Sequence, residues 1–296
     1  MTTTVGCRAL AVPDAVQGST IATWLLYPAA APEAVEAFGA YELAVARDAD
    51  LVGTGLPLVV ISHGNASTPW VLRDLAAGLA RAGYAVALIA HPGDTRGDDT
   101  LSGTAANLAN RPRHVRLVLD AVLSRLPIAP GRIAVLGHSI GGYTALAVAG
   151  GHPLALPDQT ADQRAHPVDV IPDDRVRALV LLAAATPWLM APGALGDVEV
   201  PILMFTGGQD RIAPPAYAEL VLRGVPDYRR VDHRYIGNAG HFSFLSVFPP
   251  ALARPDFPPA QDPPGFDRAA FQPELLARVV EFLAAALPAA SVAGRA

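Results

Sequence analysis

Five short stretches of the chain are almost entirely apolar: PLVVISHG (57–64), YAVALIAHPG (84–93), RIAVLGHS (132–139), VRALVLLAAA (176–185) and VPILMFTGG (200–208). They lack the in-out alternation of a strand with one wet face, so each is expected to be a strand buried on both sides, as in a parallel sheet. Stretches with helical spacing lie between and after them: WVLRDLAAGLARAG (70–83), HVRLVLDAVLSRL (114–126), APPAYAELVLRG (213–224) and PELLARVVEFLAAAL (273–287). YRRVDHRYIG (228–237) reads as one more strand. This alternation predicts an α/β fold, a mostly parallel central sheet with helices on both faces. Ahead of it, VGCRALAVP and STIATWLLYP joined by DAVQG read as an N-terminal antiparallel hairpin. Residues 29–56 read as irregular. The 296 residues are expected to form a single domain, 1–296, with an irregular excursion at 150–174 and a proline-rich one at 248–266.

The third apolar run ends in Gly137-His138-Ser139-Ile140-Gly141, followed at once by an alanine-rich helical segment. A G-x-S-x-G pentapeptide between a strand and a helix fits a nucleophile elbow. There the serine is held on a sharp turn, and the flanking glycines avoid collisions that a side chain would cause. A serine hydroxyl needs an adjacent base. All 22 basic residues are arginine, which excludes a Ser-Lys dyad, a lysine Schiff base and a Walker-type phosphate loop.

The candidates for that base are the eight histidines. His138 lies within the elbow and cannot turn back on its neighbour. His114 falls on a helix, His152 and His166 in an irregular excursion, and His233 inside a strand. His241, in IGNAGHFSFL, follows the last strand at the end of the sheet where loops gather, and is the expected base. Asp210, in MFTGGQDRIAPP, follows a buried strand and is the expected acid; capping of the next helix is its competing role, and Asp197 and Asp232 are alternatives that end no core strand. The backbone N–H groups of Ile140 and Asn65 are the expected oxyanion donors, with Ala66 as second choice for the latter. Trp70, Thr186 and Trp188 are candidates for the substrate pocket, and HPGDTRGD (91–98) for its rim or a polar turn.

SHGN after the first core strand, AHPGDT after the second, GHSIGGYTALA at the elbow, TGGQDRIAPP at the acid and AGHFSFL at the base together resemble the serine α/β-hydrolases of the predicted dienelactone hydrolase group. More distantly, they resemble the plasma-type platelet-activating-factor acetylhydrolases. The resemblance covers nearly the whole chain and includes GFDRAAF ahead of the last helix. It implies the α/β-hydrolase fold and a Ser139-Asp210-His241 triad. Authentic dienelactone hydrolases carry cysteine where Ser139 stands, and members of the group usually have an apolar residue at the Asn65 position.

The expected activity is hydrolysis of a small-molecule carboxylic ester through an acyl-enzyme, with no metal or organic cofactor. An acyltransferase or amidase would use the same residues, and a non-catalytic binding protein could share the fold. A formal net charge of −5 with no long basic run argues against a nucleic-acid partner. A single cysteine, Cys7, allows no internal disulfide. No membrane span and no basic-then-apolar leader pattern are read from the sequence, so the expected location is cytoplasmic.

Overall fold

The computed structural model describes residues 3–289; residues 1–2 and 290–296 of the expected domain lie outside the described residues. The chain opens with β1 (Thr4–Asp14) and β2 (Ser19–Ala29), paired antiparallel from Thr4 opposite Ala29 to Asp14 opposite Ser19. Asp14 closes their turn, its carboxylate accepting the N–H groups of Val16 and Gln17 at 3.0 and 3.2 Å. The order continues with β3 (Ala34–Phe38), β4 (Tyr41–Arg47), β5 (Leu56–Ser62), α1 (Arg73–Arg81), β6 (Ala85–Ile89), α2 (Ala105–Leu123), β7 (Ile128–His138) and α3 (Ile140–Val148). After a two-residue ribbon, β8 (Leu154–Ala155) with β9 (His166–Pro167), come β10 (Val176–Leu182), β11 (Ile202–Gly207), α4 (Pro215–Gly224), β12 (Val231–Ile236) and α5 (Arg268–Ala286).

The main sheet has ten strands in the order β12-β11-β10-β7-β5-β6-β2-β1-β4-β3. The six from β12 to β6 are all parallel, while β2 joins β6 antiparallel. Both faces of the parallel block are covered. Along β5, Leu58 and Val60 pack into one core with α2, α3 and α4, and Val59 and Ile61 into the other with α1 and α5. Each such side chain contributes roughly 1.5–3 kcal/mol on burial, which is why this strand is apolar at every core position. The expected α/β arrangement with an N-terminal antiparallel hairpin is the one observed.

Residues 29–56 depart from expectation, because β3 and β4 form a second hairpin there. Its alanines and glutamates carry little strand preference of their own. Phe38, Tyr41 and Val45 are buried against the α1 side of the sheet, and that packing decides the conformation.

Helix α2 begins nine residues earlier than the sequence pattern suggests and runs through Pro112. Proline has no N–H, so the Leu108 carbonyl one turn before it loses its intrahelical partner. The buried Tyr143 hydroxyl of α3 donates to that carbonyl at 2.9 Å. This single bond lets the helix continue and fixes it against the elbow helix. Tyr143→Phe is expected to lower stability by about 1–3 kcal/mol, the usual effect of stranding a buried carbonyl. Urea unfolding measures it, and a change below about 0.3 kcal/mol would contradict the assignment.

Candidate active site

Every candidate catalytic group comes from the C-terminal edge of the parallel strands, the edge where α/β sheets place their ligands. Ser139 lies between the end of β7 and the start of α3, with φ 56° and ψ −122°. A non-glycine residue there is strained on the order of 1–3 kcal/mol. The turn is clamped on three sides. The Ser139 N–H donates to Leu182 O at 3.0 Å, and its carbonyl accepts the N–H groups of Gly142 and Ala185, both at 2.9 Å. A Cβ at Gly137 would overlap the Gly141 carbonyl, and one at Gly141 would overlap the Ser62 carbonyl, so both flanking positions must be glycine. Helix α3 directs its positive N-terminal end at this turn.

The structure brings Ser139, His241 and Asp210 together. Ser139 Oγ lies 3.0 Å from His241 Nε2, and His241 Nδ1 lies 2.8 Å from Asp210 Oδ2. With the carboxylate as acceptor, Nδ1 carries the proton and Nε2 accepts from the serine hydroxyl. Asp210 Oδ1 accepts the N–H groups of Ile212 and Ala213 at 2.8 and 2.7 Å. The cap of α4 is Pro214, so Asp210 does not cap that helix. Asp197 instead pairs with exposed His152, and Asp232 with Arg234 on the edge strand.

Two further contacts set the His241 loop. His138 Nε2 donates to the His241 carbonyl at 2.9 Å, so the elbow histidine holds the loop of the other one. Ser243 Oγ accepts the Gly240 N–H at 2.9 Å and lies 3.1 Å from Asp262, which pairs with Arg268.

Asn65 follows β5 and lines the cavity beside Ser139. Among the described residues neither its N–H nor that of Ile140 has a hydrogen-bond partner in the protein, so both are free to bind an anion. Its side-chain oxygen lies 2.9 Å from Ser102 Oγ. Ala66, the second choice, is excluded because its N–H donates to Asp94 Oδ1 at 2.7 Å.

The cavity over Ser139 holds about 430 Å³. Val71, Phe242, Leu245, Phe248 and Phe257 make most of its wall apolar, and Tyr41 and Arg96 add polar groups. The three pocket residues expected from sequence are not part of it. Trp70 is buried with its ring stacked on Phe38 at 3.8 Å, because the second hairpin covers it. Thr186 is buried with its hydroxyl on Tyr217 O, and Trp188 packs edge-on against Tyr143 while its N–H reaches Gln159. The proline-rich segment supplies Phe248, Phe257 and Pro259 to the wall, so it is more than a surface excursion. No residue of 150–174 lines the cavity. Tyr41 lies within 29–56, which the sequence pattern marks as irregular, and Arg96 lies in HPGDTRGD, for which the sequence allows either a rim or a polar turn.

Below the Asn65 loop lies a buried polar network that sequence reasoning missed. His63, His91, His114 and Arg111 have no measurable exposure. Ser62 Oγ and His91 Nε2 are 2.9 Å apart, His91 Nδ1 and His114 Nδ1 3.0 Å, and His114 Nε2 and Gln17 Oε1 2.8 Å. Gln17 Nε2 donates to Pro92 O, which fixes the amide. His114 therefore donates through Nε2, His91 donates to it through Nδ1, and Ser62 donates to His91 Nε2; every ring is neutral. Burial, reinforced by the Arg111 charge, pushes His63 down to about 3. Burial likewise lowers His114 and His138 to about 3, and His91 well below its ordinary value.

These four imidazoles make the fold acid-sensitive. In the unfolded chain these rings take up protons as pH falls through about 6.5, whereas in the folded chain His63, His114 and His138 do so only near pH 3 and His91 only well below its ordinary value. Their neutral burial carries no penalty above pH 6.5 and destabilises progressively below it, by up to about 1.4 kcal/mol per pH unit for each ring. Unfolding free energy is expected to drop by at least about 3 kcal/mol between pH 7 and pH 5. A flat profile in urea titrations over that range would contradict the buried neutral state.

Comparison with known proteins places the architecture. The family model described as serine aminopeptidase, S33, matches residues 56–160, from β5 through the elbow and α3. The acylamino-acid-releasing enzyme of Sus scrofa is 27% identical over 207 residues, which is 58% of this chain but only 27% of that enzyme. Among solved structures, a ferulic acid esterase from Streptomyces cinnamoneus superposes with a TM-score of 0.70 at 21% identity, covering 96% of this chain and 90% of its own. A dienelactone hydrolase-like promiscuous phosphotriesterase from metagenomic libraries gives 0.62 at 17% identity, covering 96% and 99%. The strand order, the elbow and these neighbours together show that the chain has the α/β-hydrolase fold.

Proposed function

We propose that this protein is a serine hydrolase that cleaves carboxylic esters through an acyl-enzyme. The observation that carries the reading is the continuous line from Ser139 Oγ through His241 to Asp210, opening beneath a largely apolar cavity. Ser139 attacks the acyl carbon as His241 Nε2 takes its proton. Asp210 holds the Nδ1 proton and stabilises the imidazolium that forms. The N–H groups of Asn65 and Ile140 bind the oxyanion, and both are in place before reaction because the elbow and the β5 loop are fixed by other bonds. The imidazolium then protonates the departing alkoxide, and water repeats the sequence on the acyl-enzyme.

A second reading, peptidase or amidase, has support in the serine aminopeptidase match and the acylamino-acid-releasing relative. The apolar wall beside the serine favours an uncharged acyl or aryl group and does not by itself separate the two leaving groups. The cleavage rates of matched p-nitrophenyl esters and aminoacyl p-nitroanilides do so.

Ser139→Ala is expected to keep the fold and lower kcat by about 10⁴-fold or more, the scale for loss of such a nucleophile. Asp210→Asn is expected to fall by a similar factor, because the imidazole then adopts the wrong tautomer. Ester turnover is expected to exceed anilide turnover. Retention of ester hydrolysis by folded Ser139→Ala would overturn the mechanism, and preferential anilide cleavage would replace ester with amide as the substrate.

A further inference from the structure

Arg111 and Asp94 are the most deeply buried ion pair in the described part of the molecule, with neither side chain exposed. Their separation is 2.6 Å. Burying two charges is unfavourable, and a well-packed apolar pair often serves stability as well. What this pair does that an apolar pair could not is reach both walls of the proposed oxyanion hole.

On one wall, Arg111 Nη2 donates to the His63 carbonyl and to Ser62 Oγ, at the end of β5 where the Asn65 loop begins. On the other, Arg111 Nε donates to Thr144 Oγ1 at 3.1 Å, and that hydroxyl donates to the Ile140 carbonyl at 3.0 Å. One rigid guanidinium thus ties the residue carrying the first free N–H to the loop carrying the second. A planar guanidinium offers donors on three separate nitrogens in fixed directions, whereas an ammonium offers three rotatable donors on a single atom.

Asp94 completes the arrangement. Its Oδ2 accepts from Arg111 and from Asn107 Nδ2 at 2.7 Å. Its Oδ1 accepts the Ala66 N–H at 2.7 Å and lies 2.8 Å from Ser102 Oγ. Ala66 has φ 45°, a left-handed conformation that alanine adopts only under constraint. The bond to Asp94 supplies the constraint and turns the Ala66 N–H inward, away from the cavity. The preceding N–H, that of Asn65, is left free. Burial alone would raise the Asp94 carboxyl, but the Arg111 charge and the bonds from Ala66, Asn107 and Ser102 outweigh it and keep it ionised.

We infer that Arg111 and Asp94 are positioning residues of the oxyanion hole: they set the Ala66 turn and the spacing between the Asn65 and Ile140 N–H groups. The inference rests on the ester hydrolase reading above. It requires that loss of the fork weaken transition-state binding and leave ground-state binding almost untouched.

Arg111→Lys tests it, since the charge is kept and the fork is lost. Thr144→Val is a milder second variant that removes only the link to Ile140. Both are assayed with a p-nitrophenyl ester at a temperature where each is folded. Affinity is also measured for an alkyl trifluoromethyl ketone, whose tetrahedral adduct places an oxyanion between the two donors. Arg111→Lys is expected to lower kcat on the order of 10–100-fold, comparable to a small misplacement of a reacting group, and Thr144→Val several-fold. KM is expected to stay within about threefold, and ketone affinity to fall in proportion to kcat/KM. Unchanged kcat, a rise in KM with kcat retained, or a kcat loss with unchanged ketone affinity would each overturn the proposal. If Arg111→Lys does not fold, Thr144→Val decides by the same criteria. Ester turnover by the unmodified protein, abolished in Ser139→Ala, is established first. Its absence would defeat the hydrolase reading itself, whereas its presence alongside indifferent Arg111 and Thr144 variants would defeat only this inference.

Discussion

At Ser139 the chain passes from β7 into α3 through a backbone turn that needs support from three neighbours. A serine at φ 56° and ψ −122° does not stay there unaided. It is held because β7 feeds it from the middle of the parallel block, and because Leu182, Ala185 and Gly142 occupy its backbone groups. Those partners are in place only if β10 lies beside β7 and α3 packs on β5. The β5-β7-β10 block of the sheet, the packing of α3 on it and the glycines of the elbow are all requirements of that one turn. In return, the turn places a hydroxyl at the sheet edge with a free N–H immediately after it.

Around this point the molecule separates rigid support from the wall of the cavity. The support is polar and buried, and nearly all of its groups are bonded. Arg111, Asp94, Ser62 and the three neutral histidines leave almost no donor or acceptor without a partner, and a satisfied buried network specifies one geometry. The wall is apolar and assembled from distant parts of the chain: Tyr41 from the second hairpin, Val71 ahead of α1, and Phe248 and Phe257 from the proline-rich segment. The two parts meet at Asn65, whose backbone faces the cavity while its side chain is engaged with Ser102. Under the proposed reading, chemistry depends on the first part and substrate choice on the second.

This division also explains what was legible in the sequence. The parallel strands could be read because burial on both faces leaves an unmistakable apolar run, as in PLVVIS. Ser139 and Asp210 could be read because each follows such a strand, and His241 because it follows the last strand at the same end of the sheet; the structure brings all three together. The cavity wall could not. Trp70 was a reasonable pocket candidate by position, but only the fold of 34–47 reveals that Phe38 covers it. That hairpin has weak local preference and forms through packing. His63, His91 and His114 lie far apart in the chain, and nothing in their spacing signals one buried cluster. The start of α2 ahead of Pro112 is likewise not local: the Tyr143 hydroxyl, from another helix, supplies the Leu108 carbonyl with the bond that the proline cannot.

Under the proposed reading, the buried line of Ser139, His241 and Asp210 makes this one hydroxyl nucleophilic. Intact-mass measurement after exposure to an alkyl fluorophosphonate addresses it most directly, because the reagent reports an activated serine whatever the natural substrate is. One phosphonyl group per chain is expected, mapped to Ser139 and absent when His241 is replaced by Gln. An unmodified protein, or an adduct at any other residue, would contradict it.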